Sequence, residues 1–485
     1  MFRINRHPAL LAALLVTASC TSPVDQQSSG IDTPSLWSRL TGATEEKPEA
    51  KPPVTLDVNS PTDHQWWTHF NDPVLDTLID EALKNNQSLA IAKSRVEEAR
   101  ADRLGARSAL FPQINGTADI TRGDQGLATF YQPMTIKDAD LTASWELDLF
   151  GKNQARVAQT NALLQSAEAS AQGVRVSLLA EVARTYFDLR DTDRQIALTQ
   201  KNLDTENETV KLTRDQMKAA YASGLDVARI SAQAASTAAR LPSLQAQRVR
   251  DLNRLNVLIG ATPGSRDALL KELPPLASLD QSVIINAPAT VLAARPDVRV
   301  AERNFAASIS ASDSASRELF PDISLTGLFG VQDAPGFFSG RTWSLGAGLT
   351  QPILNFGRIQ SDIDAADARQ KQAFLTYQQT VLEALEDMEN ALSAYAQETQ
   401  RNQSLHEAAA RAEKASSLAH DQYRSGYTAL LDVLDAERTA LDAESAATAS
   451  DLALRADLVA IYVAAGGGWA DKPATPASSA AASHP

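Results

Sequence analysis

RIQSDIDAADARQKQAFLTYQQTVLEALEDMENALSAYAQETQRNQSLHEAAARAEKASSLAHDQYRS, residues 358–425, runs for 68 positions without a proline or a glycine. Those are the two residues that interrupt helices. The stretch therefore reads as one helix, roughly 100 Å long at about 1.5 Å per residue. An earlier stretch has the same character: between Lys152 and Ser223 there is no proline and a single glycine, Gly173. Within it Val182, Leu189, Ile196, Leu203, Val210 and Met217 recur every seven residues, the spacing of a coiled-coil seam. Asp193, Gln200, Asn207 and Arg214 hold neighbouring seam positions, so this is not a dry two-stranded zipper. Each long stretch ends at a Ser-Gly pair, as a helix C-terminus does. The sequence thus predicts helices over 152–222 and 358–425, and returning helices over 226–259 (kinked at Pro242) and 428–465. Gly224 and Gly426 then mark the hairpin tips.

Working outward, the chain compares with itself. Leu110-Phe111-Pro112 returns as Leu319-Phe320-Pro321, an offset of 209. Leu149-Phe150-Gly151 returns as Asn355-Phe356-Gly357 (206), and Tyr221–Gly224 as Tyr423–Gly426 (202). The landmarks keep their order, which reads as a two-fold internal repeat, 61–279 and 280–470. Each half is expected to hold a helix, two strands, a very long helix and a second helix. The strands are placed at about 113–122, 139–149, 322–332 and 341–351, where apolar and polar residues alternate. Leu141, Ala143, Trp145, Leu147 and Leu149 form one such series, and Trp343, Leu345, Ala347 and Leu349 another. A period of two with one apolar face fits a soluble sandwich or a membrane barrel.

The N-terminus favours the barrel. Arg3 and Arg6 precede the apolar run Ala9–Ala18, and Thr17-Ala18-Ser19 lead to Cys20. This is a secretory signal, too short to span a bilayer. Small residues before Cys20 fit a bacterial lipoprotein signal, 1–19, with lipid attached to Cys20 as the mature N-terminus. Thr21 is not the Asp that would resemble inner-membrane retention, so delivery to the outer membrane is expected. Residues 20–60, rich in Ser, Thr, Pro and Glu, read as an acylated tether, and 471–485 as a disordered tail. No run of eighteen apolar residues occurs, so no transmembrane helix is expected. Four strands cannot close a barrel, and open edges are not tolerated in lipid. Several chains must share one barrel: two would give eight strands, three would give twelve and leave a passage.

Composition excludes other classes. The 485 residues carry 45 Lys+Arg against 59 Asp+Glu, a net charge of −14, which argues against nucleic acid as a partner. One cysteine and six histidines leave no thiolate zinc cage and little for a metalloenzyme. His64 and His69 lack ligand partners, no nucleophile elbow accompanies Ser, His and Asp, and Asp362, Asp364 and Asp367 read as acids favouring a helix N-terminus. No catalytic residue, metal or cofactor is expected beyond the lipid on Cys20.

Asp72-Pro73-Val74-Leu75, Ala109–Pro112, Trp145–Gly151 and Glu181–Leu189 (EVARTYFDL) resemble one known family. So do Leu241–Gln245, Leu292–Glu302 (LAARPDVRVAE), Phe320–Leu325, Gln351–Arg358 and Leu431–Arg438. It is the TolC-like outer-membrane factors of tripartite efflux pumps, in the lipoprotein (NodT-type) branch, and the resemblance covers roughly 61–470. It implies a mainly α fold with a β portion. Three chains would join four strands each into a 12-stranded transmembrane β-barrel, continued by a periplasmic α-barrel of coiled-coil helices. It further implies a passive gated exit duct for drugs or other small molecules, lipid-anchored in the outer membrane. The implied partners are outer-membrane lipid, a periplasmic adaptor (membrane fusion) protein and an inner-membrane RND-type transporter. By the resemblance the entrance constricts just before the second tip, where Leu418 and Asp421 lie three apart on one helix face. Two alternatives remain at this point: the outer channel of a type I protein secretion system, and a structural coiled-coil lipoprotein. Mass spectrometry of the mature N-terminus checks the anchor, with the expected outcome a Cys20 carrying a diacylglycerol thioether and an N-acyl chain.

Overall fold

The computed structural model describes residues 28–34, 37, 54–56, 65–123, 134–268, 270, 271, 273, 276, 283–285, 288–334 and 338–467. The signal peptide, Cys20 and the 471–485 tail lie outside them. In chain order the elements are β1 (Val54–Leu56), a 3-10 turn (Trp66–Phe70), α1 (Pro73–Asn85), α2 (Gln87–Ser108), β2 (Gln113–Gly123), β3 (Met134–Leu147), α3 (Lys152–Lys218), α4 (Gly224–Ala238) and α5 (Leu241–Leu258). They continue with β4 (Val283–Ile285), α6 (Pro288–Ala294), α7 (Pro296–Arg317), β5 (Asp322–Ala334), β6 (Phe338–Thr350), α8 (Arg358–Arg424) and α9 (Leu430–Ala464). No described helix is long and apolar enough to cross a membrane.

The two long helices are equal in length. α3 and α8 are each 67 residues long, and 206 positions separate both their first and their last residues. The return of the first hairpin is two helices, because Pro242 lacks an N–H and is accommodated in the first turn of α5. Its counterpart α9, with no proline, is continuous over 35 residues. Strand pairing runs past the apolar alternation: β3 begins at Met134, five residues ahead of the expected start, and β5 extends to Ala334.

Clustering of contacts gives two compact units, each drawing on both halves of the sequence. One contains Gly105–Ala162 and Asn304–Lys371, the other Gly30–Leu104, Leu163–Arg303 and Gln372 onward. The first holds the four-stranded antiparallel sheet, ordered β2-β3-β5-β6. The second holds the main core, where Trp37, Trp66, Leu75, Leu78, Tyr186, Leu189, Leu255 and Tyr395 are fully or almost fully buried.

Trp37 and β1 correct the tether expectation. Trp37 has no exposed surface, and Val54–Leu56 pair in parallel with Val283–Ile285 of β4. Burial of one large indole and a short strand ladder fix points within a segment whose composition is otherwise that of a linker.

On α3 the expected apolar seam is only part of what packs. Val182, Leu189 and Val210 are buried, Ile196 and Leu203 half-buried, and Met217 exposed. A second series at the same spacing is more completely covered: Thr185, Thr192, Thr199, Glu206 and Thr213 are all buried. Threonine suits such a seam because it is small and its hydroxyl finds acceptors locally. Thr213 Oγ1 donates to the Thr209 carbonyl at 2.8 Å, and Thr192 Oγ1 to Asp251 Oδ2 at 3.2 Å.

Two sequence motifs acquire physical roles in this unit. Asp72 caps α1, accepting from the Val74 and Leu75 amides at 3.0 and 3.3 Å. Its other oxygen accepts from the buried Tyr186 hydroxyl at 2.7 Å, and Arg190 donates to that hydroxyl at 3.0 Å. Burial first, and then the neighbouring Asp72 carboxylate, push the Tyr186 phenol well above its usual pKa. Arg295 is a buried fork. It donates to Asp297 at 3.1 and 2.6 Å and to Asp387 at 2.8 Å. It also reaches the Ala384 and Ala464 carbonyls at 3.4 and 3.3 Å. That arrangement joins the α6–α7 junction to α8 and to the end of α9. At the matching place in the first half, Asn86 Nδ2 donates to the Leu258 carbonyl at 2.9 Å.

Close backbone approach accompanies both clamps. Gly260 has φ +73, and a Cβ there would lie 2.4 Å from the Asn85 carbonyl oxygen. Gly466, 206 residues later, has φ +74 and meets the Ala294 carbonyl at 2.9 Å. Gly260→Ala should therefore destabilise this unit by about 3 kcal/mol or more, through left-handed strain and a main-chain clash. Gly264→Ala, at φ +87 in open space, should cost only about 1 kcal/mol. Thermal unfolding of the two variants checks the difference.

Candidate functional site

The sheet is the first functional element. Its register brings like residues opposite one another: Leu141 faces Gly116 and Phe329, and Phe329 faces Trp343. One face therefore carries Ile114, Ile120, Leu141, Trp145, Leu325, Phe329, Val331, Trp343, Leu345 and Leu349. The other carries Asn115, Thr117, Thr142, Ser144, Ser324, Thr326, Ser344 and Gly346. The apolar face is solvent-accessible in the protomer, with Trp343 72% and Leu345 82% exposed. Soluble proteins bury such a face; a lipid-facing barrel strand displays it. The thirteen residues of β6 rise about 43 Å at ~3.3 Å each, or about 33 Å when tilted by about 40°, close to a hydrocarbon core. Strands β2 and β6 are the sheet's two edges.

The second element is the pair of helical tips. α8 ends in a Schellman turn. Gly426 takes φ +75, its amide donates to the Tyr423 carbonyl at 3.0 Å, and Tyr427 N donates to the Gln422 carbonyl at 2.8 Å. The same pair of bonds closes α3 through Ala220 and Tyr221, and Ala220 adopts φ +62. Ala220, not Gly224, is thus the left-handed residue of the first tip. Gly224 opens α4 behind its cap Ser223, whose hydroxyl accepts from the Asp226 amide at 3.2 Å; Asp226 Oδ2 in turn accepts from the Ser223 amide at 3.0 Å. The Ser223 hydroxyl, which also donates to Asp226 Oδ2 at 2.7 Å, and then the Ser223 amide hold the Asp226 carboxyl below its usual pKa. The expected match of Tyr221–Gly224 with Tyr423–Gly426 is corrected accordingly: Tyr221 corresponds to Tyr427, at the 206-residue offset of the long helices.

A small core of Val210, Ile230, Ala234, Tyr423, Leu430 and Val433 ties both hairpins together just behind the tips. Within it Thr213 Oγ1 and the Tyr423 hydroxyl lie 3.1 Å apart. Leu418 and Asp421 are exposed and do not pack into this core. Asp421 lines a groove of about 480 Å³ with Thr205, Glu208, Thr209, Leu212, His420 and Arg424. The buried groups are Glu206 and Glu437. Glu206 accepts from Thr237 Oγ1 at 3.0 Å. Glu437 Oε1 lies 2.7 Å from His420 Nε2, without the alignment of a hydrogen bond. Sequence reading missed Glu206, although its place in the threonine series at seven-residue spacing carries the signal.

The acidic trio on α8 lies beyond the helix's first turn, which contains no acid. Asp362 pairs with Arg358 at 2.9 Å, Gln360 donates to Asp364 at 2.8 Å, and Ser312 to Asp367 at 2.5 Å. Among the described residues no three metal-ligating side chains are grouped.

The family described as "Outer membrane efflux protein" matches residues 78–261 and 287–467. The chain belongs to the outer membrane efflux protein family. Among its relatives are the pyoverdine export outer membrane protein OpmQ of Pseudomonas aeruginosa, 29% identical over 95% of this chain and 96% of that protein. Another is nodulation protein T of Rhizobium leguminosarum bv. trifolii, 30% identical over 77% of this chain and 81% of its own length. Of solved structures, the outer-membrane channel OprN superposes with a TM-score of 0.80 at 33% identity, over 86% of this chain and 95% of that one. As a member of the outer membrane efflux protein family, this chain is an outer-membrane channel protein that extends into the periplasm, and it has the mixed helical and four-stranded fold of such channels.

Glu206 provides a pH-dependent test of the tip. Burial first, with the Glu437 charge adding to it, raises its pKa. An acid whose folded-state pKa lies above its unfolded value supports folding below the unfolded value. That support is lost as pH rises through the folded-state value. Glu206→Gln should therefore stabilise the hairpins at neutral pH, and that advantage should fade as pH falls through and below the ordinary glutamate range, where the carboxyl becomes protonated in the folded and unfolded chain alike. Amide exchange of the tip across this pH range is the measurement.

Proposed function

We propose that three copies of this chain form a passive, gated exit duct of a tripartite efflux pump, carrying small molecules across the periplasm and outer membrane. The observation that carries the reading is the sheet: four strands with one continuous apolar face and two edges that need partners. In hydrocarbon every peptide group must be hydrogen-bonded, so the edges must be joined by other copies. Twelve strands, from three chains, leave a passage that eight would fill with side chains. The names of relatives favour small cargo: one is a pyoverdine export protein and another the toluene efflux pump protein TtgC of Pseudomonas putida.

In this reading a periplasmic adaptor protein joins the duct to an inner-membrane RND-type transporter, which supplies the energy. The chain itself performs no chemistry and holds no cofactor beyond lipid on Cys20, which assists targeting while the barrel provides retention. Closure falls to Leu418 and Asp421. Both are exposed on α8 within two turns of its end, and their converging copies would make an apolar ring beside an acidic one that favours cations.

Purified protein in a planar bilayer tests the duct. It should open cation-preferring channels, and a preparation without conductance would defeat the proposal. Replacing Leu418 and Asp421 together with alanine should raise resting conductance several-fold and weaken cation preference. Unchanged values would place the constriction elsewhere on the hairpins.

A further inference from the structure

The contact between the two halves of one chain is a template for the contact between chains. In the first half the segment between strand and long helix places Phe150 against Phe320, centroids 4.9 Å apart and planes within 11°. Phe150 corresponds to Phe356 at an offset of 206, and Phe320 to Phe111 at 209. These offsets hold in detail. Trp145 Nε1 donates to the Leu110 carbonyl at 3.1 Å, and at the matching positions Gln351 Nε2 donates to the Leu319 carbonyl at 3.1 Å. Ile114 pairs with Ala143 as Ile323 pairs with Leu349. The counterparts of the stacked pair, one in each half, stand open in the protomer: Phe356 is 93% and Phe111 56% exposed, with Ile353 at 94% and Ile114 at 71% beside them.

We propose that Phe356 stacks on Phe111 of a neighbouring copy, and that β6 joins β2 of that copy in the register with which β3 joins β5 inside the chain. This rests on the trimeric reading above and specifies its interface. Ser144 pairs with Thr326, Ala143 with Gly327, Leu141 with Phe329 and Leu147 with Ile323. Moving the first member of each pair forward by 206 and the second back by 209 places Thr350 opposite Thr117 of the neighbour. It likewise sets Leu349 opposite Ala118, Ala347 opposite Ile120, and Ile353 over Ile114. The transposed register keeps apolar residues opposite apolar ones at Ile353, Leu349 and Ala347, and beyond them sets Leu345 opposite Arg122, so the lipid-facing surface continues from copy to copy over the end of the sheet nearest the helices. A slip of one residue would set apolar side chains against the polar face.

The occupant is therefore a second copy of this chain. Its Phe111 end of β2 meets the Phe356 end of β6 because antiparallel closure brings the start of one strand to the finish of the other. Stacked aromatic pairs of this kind add to the area they bury, and the exposed Ile353 and Ile114 would be covered together with them.

Cysteine cross-linking in the full-length protein tests the register. Within one chain Thr117 is level with Thr342, so Thr350 lies three strands away, roughly 14 Å across the sheet at ~4.8 Å per strand, and eight residues, roughly 26 Å, along it, too far for a disulfide, which needs Cα atoms within about 7 Å. Thr117→Cys with Thr350→Cys should, on mild oxidation, convert most of the protein to dimer and trimer bands, and each single variant controls for Cys20. Thr121→Cys with Thr350→Cys, displaced by about 13 Å, should give almost none. Mass by light scattering is read on the same samples. A trimer without the Thr117–Thr350 link, or with the displaced link instead, overturns the register and leaves the trimer standing; a monomer overturns both. For the stack, Phe111→Ala and Phe356→Ala should each lower the temperature at which trimers dissociate, and the double variant should lower it no further than the larger single effect. Additive losses would overturn the ring contact.

Discussion

A peptide group in hydrocarbon has no water to bond with, so its hydrogen must go to another peptide group. The rest of this molecule can be ordered around that requirement. The requirement obliges the strands to be long, to pair without interruption and to expose apolar side chains on one face only. It leaves β2 and β6 with edges that a single chain cannot satisfy. At the end of the sheet, Trp145 and Gln351 side chains reach the Leu110 and Leu319 carbonyls, taking over where the strand ladders give way to α2, α3, α7 and α8.

Much of this was legible in the sequence, for identifiable reasons. Period-two alternation marks strands with one apolar face, though it took the N-terminal signal to favour lipid over a sandwich partner, and 68 residues without proline or glycine leave the backbone few alternatives to a helix. Where two chemistries lead to the same backbone, the reading failed. A left-handed turn ordinarily selects glycine, so Gly224 drew attention; the turn is made by Ala220, held by the same two main-chain bonds as its glycine counterpart. The tether was misread because one indole and a three-residue strand are too few residues to shift the composition of a forty-residue segment.

The polar seam of α3 illustrates a further limit. Heptad reading looks for apolar residues, yet Thr185, Thr192, Thr199, Glu206 and Thr213 are the more completely buried series. A threonine with its hydroxyl bonded to the preceding turn presents little more than a methyl group, so it packs closely and remains tolerant of neighbouring water. Such a seam suits helices that pack side by side without one dry core, and it keeps the hairpins apposed without fixing them as tightly as leucine would. The two clamps, Asn86 on the Leu258 carbonyl and Arg295 on the Ala464 carbonyl, show the same economy. One carbonyl at the end of a returning helix is satisfied by whichever donor its half supplies.

The equal length of α3 and α8 has a consequence for how this chain can vary over time. One residue inserted in either helix would advance its tip by about 1.5 Å and turn it by about 100°. Tyr423 would then swing away from Thr213, and the small core joining the hairpins would open. Single-residue insertions and deletions should therefore be excluded across 134 helical positions, whereas changes of seven, made in both helices and in their returning partners, preserve every seam. The stature of the protein is quantised: related chains should differ in reach by whole heptads, about 10 Å at a time, and a periplasm of a different depth would be matched in such steps.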